Sequence, residues 1–146
     1  MGVRRKAREC ALQMLFQYDM SGNPATEVLA TFWAMNPAPT DLSAEEVALM
    51  MEFANRLFSG AILRLTDIDE IIKSHTTNWR LERMAVVDRN VLRLAVYEFL
   101  EEETPKAVVI NEALEIAKRF STEESAHFVN GILDGIKNSL GKAVNC

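Results

Sequence analysis

The residues best suited to chemistry lie at the start of the chain. Residues 1–8 contain no acidic residue and four basic ones: Arg4, Arg5, Lys6 and Arg8. The whole chain has a net charge of −5, so the rest of it is more acidic than that total suggests. Guanidinium groups bind phosphate bidentately and stack on nucleobases. A basic tip on an acidic chain indicates a focused site for a polyanion, while a solvated terminus without a partner explains the same residues.

The first predicted helix also carries an aromatic side chain near two of these arginines. At about 100° per residue, four residues fall within about 80° of each other beside the apolar stripe: Arg5, Arg8, Leu12 and Phe16. An exposed ring beside guanidinium groups is a stacking platform for single-stranded nucleic acid. The alternative is that Leu12 and Phe16 widen the buried stripe, and the pattern alone leaves both interpretations open.

The sequence lacks the residue constellations that common enzyme classes use. His75 and His127 have no zinc-ligand spacing, and there is neither a glycine-rich phosphate loop nor a Gly-x-Ser-x-Gly motif. Residues 67–70 resemble a fragment of a calcium loop without its glycine and closing glutamate. Cys10 and Cys146 are too few for a metal set or a disulfide framework. We therefore expect a non-enzymatic protein with no metal and no other cofactor.

Length and composition predict one globular domain covering residues 1–146. The chain is 49% apolar and 25% charged, which is the balance of a soluble protein. No apolar run approaches the roughly 18–20 residues that span a bilayer. The basic start is not followed by the apolar segment of a signal peptide. With so few cysteines, we expect a reducing compartment, a cytoplasmic location and no membrane.

Apolar residues recur with a helical period along the whole chain, which predicts an all-α bundle of about six or seven helices. The predicted helices cover residues 3–20, 24–36, 43–74 (kinked or divided near Gly60), 84–100, 104–120 and 121–140. Residues 75–78 are predicted to be a linker and residues 79–82 a short turn. The helix over 84–100 is apolar nearly all round and is expected to be the buried centre.

Four predicted helix starts rest on capping chemistry. Ser43 with Glu46, and Ser121 with Glu124, have the spacing of capping boxes, in which hydroxyl and carboxylate each accept an unpaired N–H of the first turn. Pro24 and Pro105 are placed at the first helical position, with Thr104 as the N-cap before the second of them.

Four separated blocks resemble the NusB transcription antitermination factors, and they occur in the family's order between about residues 4 and 137. The blocks are residues 4–13 (RRKARECALQ), 79–98 (WRLER followed by VDRNVLRLAVYE), 105–120 (PKAVVINEA followed by EIAKRF) and 128–134 (FVNGILD). The resemblance implies an all-α fold of two packed helical sub-bundles. It also implies binding to the single-stranded boxA segment of nascent RNA together with NusE, a ribosomal small-subunit protein. Such a factor supports processive transcription of ribosomal RNA operons by the elongation complex.

The resemblance also assigns residues to two surfaces. RNA contacts are implied for Arg4, Arg5, Lys6, Arg8, Phe16, Glu124 and Phe128. NusE contacts are implied for Glu82, Asp88, Arg89 and Arg93. The chain departs from the family where Ser121 replaces a frequent glycine, which affects the helix cap. Glu123 and Glu124 also place negative charge beside the implied RNA surface, where it opposes phosphate.

Other functions and states fit the same sequence. One alternative is a helical adaptor that binds NusE without RNA affinity of its own. Another is an RNA-docking domain related to those that precede the catalytic domain of some RNA cytosine methyltransferases. The sequence leaves open whether the chain is a monomer or a homodimer that hides the arginines. It also leaves open the RNA preference, the affinity and the order of partner binding.

Overall fold

The computed structural model describes residues 2–76 and 81–145, with the side chains of 142–145 left out. Within those ranges the chain is all-α, which confirms the predicted fold class. The helices are α1 (Val3–Ser21), α2 (Ala25–Met35), α3 (Ala44–Leu63), α4 (Leu65–Lys73), a 3-10 helix (Leu81–Arg83), α5 (Val86–Glu101), α6 (Lys106–Phe120) and α7 (Glu123–Asn145). The predicted linker and turn over 75–82 fall partly outside the described residues, since Thr77, Asn78, Trp79 and Arg80 are not described.

The chain divides into two compact helical units. Unit 1 covers Met1–Leu63 and unit 2 covers Arg64–Cys146. The periodicity predicts one helix over 43–74, kinked or divided near Gly60. The structure divides this helix at Arg64, four residues after Gly60. Arg64 leaves helical geometry with φ −104° and ψ 15°, and α4 begins at Leu65. The boundary between the units therefore coincides with this helix break. Gly60 lies inside α3, where the helical period of the apolar residues continues through it.

Unit 1 consists of α1, α2 and α3, and each of these helices contacts the other two. Ala7 and Ala11 of α1 are fully buried, and such small residues let another helix approach closely. Tyr18 meets Phe58 edge to face with ring centroids 6.2 Å apart, and Trp33 donates to the Asn55 side chain over 2.8 Å. These contacts join α1 and α2 to α3.

A left-handed glycine ends α1. Gly22 has φ 74°, and its N–H donates to the Tyr18 carbonyl over 3.1 Å. Glycine adopts this conformation without the Cβ penalty of other residues, which explains why α1 stops one residue later than predicted.

Unit 2 consists of α4–α7 and the 3-10 helix. As predicted, α5 is buried on most of its surface, and it contacts α4, α6 and α7. The three acidic residues at its end are a poor match to the helix dipole, but Arg64 forms an ion pair with Glu101 there. His75 is held between the Ile71 carbonyl, 3.0 Å from Nδ1, and Ser139 Oγ, 2.9 Å from Nε2.

The capping predictions were right at one helix start and displaced by one residue at three. The Ser43–Glu46 box forms, with N···O distances of 3.0 and 3.1 Å. At α2 and α6 the prolines are the N-caps rather than the first helical residues, so Thr104 is not a cap. At α7 the cap is Thr122, whose hydroxyl accepts the Ser125 N–H over 3.0 Å. The predicted Ser121–Glu124 box is wrong because Ser121 already closes α6 by donating its N–H to the Ala117 carbonyl.

Candidate nucleic-acid interface

Three arginines gather around one phenylalanine ring in unit 1. The guanidinium carbon of Arg4 lies 4.4 Å from the Phe53 ring centroid, that of Arg56 5.1 Å and that of Arg8 5.4 Å. We call these four residues the arginine–Phe53 cluster. A cation over an aromatic face is stabilised by about 0.5–1 kcal/mol at exposed sites, and by more where water is excluded. The ring therefore helps hold three like charges close together.

Helix geometry explains how the arginine–Phe53 cluster forms. Arg4 and Arg8 are one turn apart and share a face of α1, while Phe53 and Arg56 share a face of α3. Because α1 packs against α3, these two faces meet. Phe53 is 5% exposed, so its ring is a buried platform rather than a contact surface.

The basic residues of α1 differ in exposure. Arg4 is exposed, Arg5 and Lys6 are partly exposed, and Arg8 is only 4% exposed. Lys6 borders a depression of about 120 Å³ with Val3, Pro39, Asp41 and Leu42. The four predicted cations are thus not equivalent: three reach the surface, and the fourth is enclosed beside Phe53.

The aromatic face predicted for α1 is divided by the fold. Phe16 is 42% exposed, whereas Leu12 is 3% exposed and belongs to the core. The helical wheel placed both residues beside the arginines and left open whether they are exposed or part of the core. Phe16 is accessible as a stacking platform, and Leu12 widens the buried stripe.

A second candidate surface lies in unit 2, where the start of α5 faces the start of α7. It is a pocket of about 340 Å³ lined by Arg83, Met84, Ala85, Asp88, Thr122, Glu124, Ser125 and Phe128. We call it the Asp88 pocket. The pocket brings together residues that the family resemblance assigns to two different surfaces. Asp88 is assigned to the NusE surface, and Glu124 and Phe128 are assigned to the RNA surface.

The Asp88 carboxyl is the unusual group in this pocket. It is 8% exposed, and its Oδ2 accepts a hydrogen bond from Ser125 Oγ over 3.2 Å. Its Oδ1 is buried and meets no hydrogen-bond partner among the described residues. Burial raises the pKa of Asp88, and the Ser125 hydrogen bond only partly opposes that rise. A buried acceptor without a donor costs about 1–3 kcal/mol, so the pocket is chemically matched to a hydrogen-bond donor.

The other residues predicted to contact NusE have different surroundings. Glu82 is exposed on the 3-10 helix. Arg89 donates to the Leu81 carbonyl over 3.3 Å. Arg93 forms a bidentate pair with Asp69, at 2.8 and 2.9 Å, and also donates to the Asn90 side chain. The Arg93–Asp69 pair ties α5 to α4 within unit 2.

Sequence reasoning missed two members of the arginine–Phe53 cluster, Phe53 and Arg56. Both lie in the first part of the helix predicted over 43–74, the part that forms α3. Their spacing of three residues was the only available signal. It could not be interpreted without knowing that α3 packs against the start of α1.

In the residues that the structure describes, no group of three or more His, Cys, Asp or Glu side chains is arranged to hold a metal ion. No helix in the described ranges has the length and apolar character needed to cross a membrane. Burial raises the pKa of the Cys10 thiol, and the positive charge of Lys6 opposes that rise only in part. The thiol is therefore protonated at neutral pH.

Comparison with known proteins agrees with the fold and with the four sequence blocks. The NusB family model matches residues 5–138. The transcription antitermination protein NusB of Koribacter versatilis (strain Ellin345) is 51% identical over 140 residues, which is 95% of this chain and 91% of that protein. The solved structure of T. maritima NusB has a TM-score of 0.77 at 39% identity, covering 91% of this chain and 89% of that one.

One solved complex is similar to this chain as well. It contains the antitermination factors NusB and NusE with double-stranded RNA, and it matches with a TM-score of 0.80 at 28% identity, covering 95% of this chain and 98% of that one. The predicted resemblance is confirmed, and with it a non-enzymatic role. This chain belongs to the NusB family.

Proposed function

We propose that this chain is a cytoplasmic transcription antitermination factor that binds boxA-type single-stranded RNA together with NusE. In this role it supports processive transcription of ribosomal RNA operons by the elongation complex. The observation that carries the RNA-binding part is the arginine–Phe53 cluster, which concentrates cations at the start of α1 in an otherwise acidic chain. The solved complex of NusB and NusE with double-stranded RNA supports NusE and RNA as the two classes of partner.

The RNA contacts proposed for unit 1 follow the exposure of its side chains. Arg4, Arg5 and Lys6 bind phosphates, and Phe16 stacks on a base. Arg8 is enclosed beside Phe53, so it acts by holding α1 against α3 rather than by direct contact. In unit 2, Phe128 offers a half-buried ring at the Asp88 pocket. The exposed Glu124 beside it repels phosphate and favours contact with a base or a donor group.

The NusE contact is proposed to centre on Asp88. A basic or amide side chain of the partner donates to Oδ1, which has no donor among the described residues, and this removes the cost of burying that acceptor. Glu82 adds a second, exposed negative charge near the start of α5. Arg89 and Arg93 act from inside unit 2, because each already donates to a group of that unit. The chain is proposed to work as one RNA-binding domain over residues 1–146.

A fluorescence titration of labelled boxA RNA, with and without NusE, tests this function. Three phosphate contacts from α1 predict that log K falls with log salt at a slope of about −2, at roughly −0.7 per contact. NusE is expected to tighten binding. An RNA of scrambled sequence is the control, and it should bind more weakly at equal charge.

Two results would contradict the proposal. NusE binding without measurable RNA affinity, in either the presence or the absence of NusE, would identify a protein-only adaptor. A flat salt response would show that phosphates are not the main contact. An RNA-docking role related to cytosine methyltransferases receives no support from the relatives, which are antitermination proteins.

A further inference from the structure

Arg56 is a cation that lies outside the basic tip but reaches the same ring. It is on α3, its guanidinium carbon is 5.1 Å from the Phe53 centroid, and its side chain is 43% exposed. Arg4 approaches the same ring from α1 at 4.4 Å. Two exposed guanidinium groups from different helices therefore converge on one buried platform.

Positive charge is concentrated around this platform. Arg4, Arg8 and Arg56 bring three positive charges within 5.4 Å of one ring centroid. Glu52 lies beside them on α3, 3.4 Å from Arg56 Nη1, but its side chain is 69% exposed and therefore well screened by water. Like charges gathered in this way repel each other, and an approaching polyanion removes that repulsion while the ring holds the guanidinium groups in place.

We propose that Arg56 is a further phosphate-binding residue, so that the RNA-binding surface of unit 1 continues from α1 onto α3. Phe53 is the positioning residue, since it touches the arginines and is too buried to touch RNA. The ligand is the phosphate backbone of the same single-stranded RNA, so the inference rests on the proposed function. A guanidinium group carries five N–H donors, so Arg56 can contact a phosphate oxygen in addition to the Glu52 carboxylate.

The competing explanation is local. Glu52 and Arg56 are four residues apart on α3, and exposed pairs of this kind stabilise a helix by about 0.3–0.5 kcal/mol without any binding role. In that case Arg56 serves only the helix, and removing it leaves RNA affinity unchanged.

The experiment compares Arg56→Gln with Glu52→Gln in the full chain, using labelled boxA RNA over a range of salt concentrations. Both variants break the same ion pair, so they have similar consequences for the helix. Arg56→Gln is expected to weaken binding about five- to tenfold and to make the salt slope shallower by about 0.7. Glu52→Gln is expected to tighten binding about twofold, because it removes a negative charge that lies 3.4 Å from Arg56.

The Arg4→Ala variant distinguishes a failure of this inference from a failure of the proposed function. Urea unfolding of each variant shows whether that variant folds. If Arg56→Gln binds with wild-type affinity and slope while Arg4→Ala is weakened, the α3 extension is wrong and the proposed function stands. If neither variant is weakened, the α1 surface is wrong as well. Equal losses in Arg56→Gln and Glu52→Gln would assign the effect to the helix and would also overturn the inference. A fourth variant, Arg56→Lys, is expected to keep most of the salt slope because it keeps the charge.

Discussion

The arginine–Phe53 cluster and the Asp88 pocket handle charge in opposite ways. In the cluster, the Phe53 ring is buried, but the side chains of Arg4 and Arg56 are exposed, so these two charges stay hydrated. In the pocket, the charged group itself is buried, and one of its oxygens has no donor among the described residues. The first arrangement suits a flexible polyanion at little desolvation cost. The second arrangement suits a single hydrogen-bond donor that fits the pocket. Burying the carboxylate is unfavourable until such a donor binds.

The difference teaches what each unit contributes to binding. Exposed cations act over several ångströms and are weakened by salt, so in the proposed function unit 1 supplies salt-dependent, sequence-independent attraction. A buried acceptor acts only at hydrogen-bond distance and is little affected by salt, so in the same proposal unit 2 supplies selectivity. The following experiments test that division of roles, starting with the largest expected effect.

Removing two exposed cations should break the contribution of unit 1. Arg4→Ala/Arg5→Ala is expected to weaken boxA RNA binding about 30–100-fold at low salt and to reduce the salt slope by about 1.4, since two phosphate contacts are lost. Fluorescence anisotropy across salt concentrations measures both quantities. Lys118→Ala/Arg119→Ala on α6, which also removes two positive charges, is the control and should change affinity less than twofold. A double variant that keeps the wild-type slope would remove α1 from the RNA surface.

Changing the pocket carboxyl should affect NusE more than RNA. Asp88→Asn keeps the size of the side chain but removes the charge that attracts a basic donor, so NusE affinity is expected to fall about tenfold. RNA affinity without NusE should stay within twofold. Isothermal titration with each partner gives the two values, with Asp134→Asn on the exposed side of α7 as control. An equal loss for both partners would show that the pocket does not discriminate between them.

Replacing Phe53 should distinguish the effect of positioning the arginines from the effect of their charge. Phe53→Leu keeps an apolar side chain and all three arginines but removes the aromatic face, so RNA affinity is expected to fall about threefold to fivefold with an unchanged salt slope. A double-mutant cycle of Phe53→Leu with Arg4→Ala, read by urea unfolding, should give a coupling of about 0.5–1 kcal/mol. A coupling near zero would mean that the ring and Arg4 are neighbours without an energetic link.

The smallest effect is on stability and comes from the same aspartate. Because burial raises the folded-state pKa of Asp88 above its ordinary value of 3.8, the ionised form is disfavoured in the folded protein. Its contribution to stability is fully present below pH 3.8 and is lost as the pH rises through the higher folded-state pKa. Asp88→Asn should therefore raise the free energy of unfolding at pH 7 by up to about 1 kcal/mol.

Urea unfolding at a series of pH values measures this gain. The advantage of Asp88→Asn over the wild type should shrink as the pH is lowered toward 3.8. A variant that is less stable than the wild type at pH 7 would show that the ionised carboxylate is favourably paired in the fold, and the contrast between the two regions would then disappear.

The parts of the fold that follow from local sequence were predicted well. The helical period, the Ser43–Glu46 box and the stop after Ser21 depend on residues within one or two turns of each other. The break before α4 is misplaced by four residues, the start of α5 by two and the end of α7 by five. Three capped helix starts and the end of α1 are each displaced by one residue. One of these starts is at Ser121, which closes α6 while Thr122 caps α7.

The candidate sites were predicted only in part. The spacing of Arg4 and Arg8 placed them on one face, but it could not show that Arg8 is enclosed while Arg4 is exposed. Asp88 was assigned by resemblance, and nothing in its neighbours along the chain indicates a buried, partly unpaired carboxyl. Arg93 was assigned to a partner, but it meets Asp69, which is 24 residues away in the chain.

The sequence by itself determined the all-α class, the helices, the concentration of positive charge at the start of α1 and the family. The family follows from the resemblance of four sequence blocks, and the other properties follow from composition, from periodicity and from hydrogen bonds between near neighbours. Only the tertiary structure decided which cations reach solvent, that Phe53 and Arg56 join them, and that Asp88 faces a pocket shared with Phe128. Burial, ring stacking and pKa depend on atoms brought close by helix packing, and their distance along the chain carries no signal of that closeness.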